Sequence, residues 1–223
     1  MRGLFRRSAE QPSLVPQEAT PAATPSPAVH ASPGFAALFT AAPSVHLARI
    51  LDLGPAVGEN LAFYGRFART VRFVDMLRDE IGGGPAARRN VASLLDGCLK
   101  AGDGPYDLVL AWDLLNYLEH DAGRDLIERL EGCTRVGTRL FAMISSGHTM
   151  PARPQRFTIV DAQRLAYRET GGGVCASPEL APAEVGRLLA PFRVERSVVL
   201  SHGVREYVAV RPRAAGEDDG EAG

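Results

Sequence analysis

Short apolar runs alternate with segments whose apolar residues recur every three or four positions, starting near residue 33 and ending near residue 211. A short helix over 33–41 precedes the apolar run 48–53 (ARILDL), which reads as a strand. Residues 59–69 carry Leu61, Tyr64, Phe67 and Ala68 at helical spacing, and 71–74 (VRFV) predicts a second strand ending at Asp75. The stretch 76–105 is broken by Gly-Gly-Gly-Pro at 82–85, with 91–95 a short strand at most. Residues 106–112 (YDLVLAW) form the clearest buried strand. A helix over 121–133 follows, with Leu126, Ile127 and Leu130 as its inner stripe, and then a strand over 138–145. A helix over 183–190 leads to strands at 194–200 and 206–211, whose separation by Ser201-His202-Gly203-Val204 predicts a hairpin. Strand–helix alternation of this kind predicts an α/β fold: a doubly wound, mostly parallel seven-stranded sheet covered on both faces, with an antiparallel strand near its C-terminal edge.

Outside that pattern, residues 1–33 are rich in Ala, Pro, Ser and Thr and have no periodicity. They lack the apolar surface to offset their ordering entropy and are expected to be a disordered leader. Residues 213–223 form an acidic tail, which leaves 34–212 as a single domain. The 223 residues are 45% hydrophobic and 23% charged, the balance of a soluble globular protein. A formal net charge of −1 supplies no long-range field for nucleic acid or anionic membrane, and neither is expected as a partner. No apolar run approaches the roughly 20 residues that span a bilayer. The basic start lacks the apolar stretch of a secretory signal, so a cytoplasmic location is expected. Cys98, Cys133 and Cys175 are odd in number and contain no CxxC, so neither a disulfide framework nor a metal site is expected.

Ligands of open α/β sheets bind beyond the C-terminal ends of the strands. Three carboxylates stand at such ends here: Asp52 before Leu53-Gly54, Asp75, and Asp113 after Trp112. The Gly54-Pro55-Ala56-Val57-Gly58 turn lets the chain pass directly from strand to helix without a Cβ obstructing the crevice. Asp75 lies 23 residues after Asp52, where an acidic side chain can accept hydrogen bonds from both ribose hydroxyls. The dinucleotide pattern GxGxxG is absent, because Gly54 and Gly58 are separated by three residues, with Ala at 56.

The segments DLGPAVG, FVD and YDLVLAWDLLNYL resemble the class I S-adenosylmethionine-dependent methyltransferases, a Rossmann-like family, over roughly residues 45–146. Ala56 stands where that family's GxGxG loop has its middle glycine, and Pro55 stiffens the turn. The resemblance implies S-adenosyl-L-methionine as cofactor. Asp52, Gly54, Pro55, Ala56, Gly58 and Asn60 would surround its methionine part, Asp75 would take the ribose and Asp96 would lie near the adenine. Asp113 would face both the methionine end and the substrate. Asp113 and His148 are the candidate bases, since a hydroxyl or amine acceptor must lose a proton. Asn116 and Tyr117 follow Asp113 and could line the same crevice.

The segment 146–177 is long for a plain connection and reads as a lid shaping the acceptor pocket, with a small hairpin from 157–160 and 165–168. Its Arg153, Arg156 and Tyr167 are candidate substrate contacts, the arginines favouring carboxylate or phosphate groups. His202, in the late hairpin turn, is expected to be exposed, and Trp112 to be core. The expectation is a methyltransferase acting at oxygen or nitrogen of a small molecule. A non-catalytic cofactor-binding or interaction protein of the same fold is one alternative. An NAD(P)-dependent oxidoreductase is another, disfavoured by the missing GxGxxG and by the late hairpin. After residue 112 there is no Asn-Pro-Pro-Tyr-like motif, which argues against methylation of a nucleobase.

Overall fold

The computed structural model describes residues 27–40, 48–76 and 104–213. In chain order the first elements are β1 (Ala28–Ala31), α1 (Pro33–Thr40), β2 (Ala48–Asp52), α2 (Gly58–Tyr64), β3 (Ala68–Phe73) and β4 (Tyr106–Trp112). A single 3-10 turn (Leu114–Tyr117) leads to α3 (His120–Gly132) and the long β5 (Thr134–Ser145). Then come β6 (Thr149–Pro151), β7 (Arg156–Asp161), β8 (Arg164–Arg168), β9 (Val174–Ala176), α4 (Pro182–Leu188), β10 (Arg193–Val199) and β11 (Val204–Val210).

The central sheet has the order β10-β11-β5-β4-β2-β3. Its pairs β2·β3, β2·β4 and β4·β5 are parallel, whereas β11 pairs antiparallel with both β5 and β10. Six strands, of which only β11 runs antiparallel to the rest, therefore stand among the described residues where a seven-stranded sheet was expected. The expected strand at 91–95 lies outside those residues. Helical spacing over 59–69 also overran: α2 stops at Tyr64, and Ala68 and Thr70 pair with Ala48 and Arg49 of β2. Tertiary pairing overrides local periodicity there.

Along β4 the side chains alternate between two buried faces. Leu108, Leu110 and Trp112 pack with Phe35, Phe63, Tyr64 and Phe141 on one side. Val109 and Ala111 pack with Leu126, Ile127, Leu130 and Val185 on the other. A strand covered on both faces needs an unbroken apolar run, which is why this one was legible in the sequence. Among the described residues no helix is long and apolar enough to cross a membrane.

Part of the stretch expected to be disordered is ordered. Ala28–Ala31 forms β1, which adds antiparallel to β8, with His30 opposite Leu165 and Ala28 opposite Tyr167. The sequence pattern missed it because four residues on an edge strand take their stability from ladder hydrogen bonds and a distant anchor, not from their own apolar content. That anchor is Glu206 of β11, wholly buried, which accepts hydrogen bonds from the Ser32 hydroxyl and from the Gly34 N–H at 2.7 Å. A Cβ at Gly34 would stand 2.8 Å from the Glu206 Oε2, so only glycine fits against this carboxyl group. Burial raises the Glu206 pKa, and these two donors oppose the shift.

Replacing Glu206 by Ala strands two buried donors and is expected to lower stability by about 2–3 kcal/mol. Glu206→Gln, which keeps one acceptor oxygen, should lose less. Urea denaturation followed by circular dichroism measures both, and equal midpoints for Glu206→Ala and the parent chain would contradict this anchor.

Candidate functional site

At the C-terminal edge of the sheet, β2 ends in Asp52, whose carboxylate is fully buried. Oδ1 accepts hydrogen bonds from the Gly54 N–H (2.9 Å) and from the Trp112 indole N–H (2.6 Å), and Oδ2 accepts from the Tyr64 hydroxyl (2.8 Å). Burial raises the Asp52 pKa to about 6 against the pull of these donors, with a further push from the charge of Asp75.

Trp112 has φ 48°, in the left-handed region that is strained for a bulky residue. Its indole is held there by Asp52 and lies flat on Phe157 of β7, with ring centroids 5.2 Å apart and planes at 4°. A Cβ on Gly54 would approach this ring to 3.0 Å, so the turn glycine is fixed by the tryptophan beside it.

Two hollows adjoin at this edge. One is a crevice of about 40 Å³ bounded by the Gly54-Pro55 turn, Asp75, Trp112 and Asp113, with Pro154 and Gln155 over it. The other is a cavity of about 350 Å³ reached by Asp113, Tyr117, Tyr167, Glu169, His30 and His202. Asp113, Gln155 and Phe157 border both, so they form the partition. The Asp113 Oδ2 accepts the Gln155 N–H at 3.0 Å. Burial raises the Asp113 pKa to about 7 despite that bond.

The polar residues around the partition are largely engaged within the protein. The Asn116 amide donates to the carbonyls of Asp113 and Met143, both at 2.9 Å, and its oxygen accepts the Ser145 N–H at 2.8 Å. The 3-10 turn is thereby braced against β5. The Tyr117 hydroxyl reaches the carbonyls of Pro151 (3.0 Å) and Arg153 (2.9 Å), which ties down the segment after β6. Asn60 of α2 acts as a surrogate strand edge, donating to the Phe157 carbonyl at 3.1 Å and accepting the Ile159 N–H at 2.8 Å.

Of the residues singled out in the sequence, Gly54, Pro55, Asn60, Asp75 and Asp113 meet at the crevice. Asn116, Tyr117 and Tyr167 meet Asp113 at the larger cavity. Gly58 opens α2, and Ala56 lines neither hollow. His148 is not among them: its side chain is 96% exposed and paired with Glu179, which raises its pKa. A loop without an apolar anchor leaves that imidazole in solvent, so it does not face Asp113's partition as a base. Arg156 is exposed on β7, and the stem of Arg153 packs on Gly172; neither lines the cavity. Asp96 lies outside the described residues.

His30, His202 and Glu169 are among the lining residues that went unassigned in the sequence. His30 sits in β1, and its ring lies 4.7 Å from that of Tyr167 and 4.2 Å from that of His202. His202 is solvent-exposed, as expected of a turn residue, yet it also lines the cavity. Nothing in the local pattern flags His30, because its place depends on β1 joining β8.

No protein-family model and no curated protein matches the sequence. Solved structures with a similar fold include the Burkholderia thailandensis 1,6-didemethyltoxoflavin-N1-methyltransferase with 1,6-didemethyltoxoflavin and S-adenosylhomocysteine bound. It is 19% identical over 81% of this chain and 77% of that chain, with a TM-score of 0.47. An S-adenosylmethionine-dependent methyltransferase from Mesorhizobium loti is 17% identical over 78% and 96% of the two chains, with a TM-score of 0.49. The CcbJ methyltransferase from Streptomyces caelestis is 16% identical over 81% and 90%, with a TM-score of 0.45. Likeness at this level carries no residue role from one chain to another.

Asp52 and Asp113 have folded pKa values of about 6 and about 7, both raised from 3.8. The folded state therefore holds more protons than the unfolded chain between about pH 4 and 7, and stability falls as pH rises through that window. In Asp113→Asn the upper part of this fall should vanish. Urea midpoints at a series of pH values check this; an unchanged slope between about pH 6 and 7 in the variant would contradict it.

Proposed function

We propose that the chain is an S-adenosylmethionine-dependent methyltransferase whose acceptor is a small molecule. The observation that carries this reading is the pair of adjoining hollows with Asp113 in their common wall. One lies at the turn after the first parallel strand, and the other has the size of a small-ligand pocket, roughly 300–1,000 Å³.

The donor set at the crevice fits the cofactor. Asp75 stands just past β3, beside the Gly54 turn, where its oxygens can accept both ribose hydroxyls. The present volume of about 40 Å³ is too small, because Pro154, Gln155 and Phe157 lie over the crevice. Admission of the cofactor therefore requires the strap of Pro154 and Gln155 to lift between Arg153, held by Tyr117, and Phe157, held by Asn60.

When bound, the cofactor supplies an electrophilic methyl group. The chain supplies position, exclusion of water and a proton acceptor. Asp113 borders both hollows and is the group placed to take a proton from an acceptor in the larger one. Its pKa near neutrality makes it a stronger base than an ordinary carboxylate. The Asn116 amide and the Tyr117 hydroxyl act through the backbone they brace.

Calorimetric titration with S-adenosylmethionine, S-adenosylhomocysteine and NADH tests the reading. Both sulfur compounds are expected to bind, and NADH is not. Asp75→Ala should weaken their binding by about tenfold to a hundredfold, as the ribose hydroxyls lose a charged acceptor. Binding of NADH alone, or of none of the three, overturns the proposal.

A further inference from the structure

The larger cavity is negative and aromatic. Two carboxylates, Asp113 and Glu169, line it, and among the described residues no Lys or Arg does. Arg153 and Arg156, the cations expected to greet an acidic substrate, are held elsewhere. The rings of Tyr117, Phe157 and Tyr167 contribute to the walls, together with Met143 and Met150. Burial and the neighbouring His30 lower the pKa of His202, so that imidazole does not offset the carboxylates near neutral pH. Carboxylates beside aromatic faces, with no Lys or Arg among them, are the surroundings an ammonium group prefers.

A second observation, independent of the charges, also calls for a ligand. Tyr167 is 7% exposed, and its hydroxyl is buried with no hydrogen-bond partner in the protein. A hydroxyl left so is costly, at about 1–3 kcal/mol, unless something entering the cavity completes it. The Asn116 amide and the Tyr117 hydroxyl nearby already have partners. Tyr167 thus offers a second polar contact across the same cavity.

We propose that this cavity recognises a compact organic amine, its ammonium group set against Asp113 and Glu169 and a second polar group set against the Tyr167 hydroxyl. The proposal names the acceptor class for the methyl-transfer reading above and rests on that reading for the fate of the amine. In that reaction the ammonium gives one proton to the Asp113 carboxylate, which frees the nitrogen lone pair. That pair forms the bond to the methyl carbon as the carbon–sulfur bond breaks, leaving its electrons on sulfur and the positive charge on nitrogen. Anionic acceptors are disfavoured, because their charge would meet two carboxylates and neither Lys nor Arg.

Calorimetry on the full chain without cofactor separates this claim from the methyl-transfer reading, since titration with S-adenosylhomocysteine is scored independently. The probes are phenethylamine, tyramine, phenethyl alcohol and phenylacetate at about pH 8. The amines are expected to bind at least tenfold more tightly than the alcohol, and phenylacetate not at all. Tyramine, with its added hydroxyl, should exceed phenethylamine, and Tyr167→Phe should erase that advantage while leaving phenethylamine unchanged. Asp113→Asn and Glu169→Gln should each weaken the amines tenfold or more and leave the alcohol unaffected. Phenylacetate or the alcohol binding as tightly as the amines, or no amine binding at all, overturns the proposal. Loss of S-adenosylhomocysteine binding with amine binding intact would instead overturn only the methyl-transfer reading.

Discussion

The buried carboxylate of Asp52 holds the site's parts in one arrangement. Its three donors come from the turn that follows it, from α2 and from the end of β4. Because a buried charge is costly unless every oxygen is hydrogen-bonded, these segments are not independent of one another. The turn cannot shift without stranding the carboxylate, and Trp112 cannot leave its left-handed backbone without losing the same oxygen. The Trp112 ring then sets where Phe157 lies, and Phe157 belongs to both the crevice and the larger cavity. A constraint at one strand end is thus passed through two stacked rings to the segment that covers the site.

The insertion after β5 is fastened in a similar way, by polar side chains mimicking backbone partners. Asn60 completes the edge of β7, and Tyr117 collects the carbonyls of Pro151 and Arg153. β1 joins β8 on the far side and is itself anchored through Ser32 and Gly34 to Glu206 on the sheet. The result is a cavity whose walls come from five parts of the chain: the leader, the end of β4, the end of β5, the insertion and the late hairpin. Its charge follows from which side chains these fastenings turn inward. None of the insertion's four arginines, Arg153, Arg156, Arg164 and Arg168, is among them, whereas Asp113 and Glu169 are.

The sequence was legible where burial is two-sided and local. β4, β5 and the late hairpin appear as apolar runs, and the insertion's hairpin at 157–160 and 165–168 is found as β7 and β8. The three carboxylates at strand ends could be placed because a parallel sheet brings those ends together. Residues whose partners lie far along the chain could not be read this way. Asn116 looked like a substrate contact, but its amide is engaged by Met143 and Ser145, which no local pattern reveals. His148 looked like a base because an imidazole in a long loop always does; only the fold shows it in solvent against Glu179. β1 and His30 were invisible for the converse reason, since a Pro- and Ala-rich stretch orders only when an edge strand and a buried carboxyl group receive it.

Trp112 is the only tryptophan in the chain, and it borders the crevice at the Gly54 turn. Its fluorescence therefore reports directly whether the cofactor enters there. On titration with S-adenosylhomocysteine, its emission should change saturably, with the same midpoint as the heat of binding, as the strap over the crevice lifts. Calorimetric binding that leaves the Trp112 emission unaltered would place the cofactor elsewhere and contradict the account.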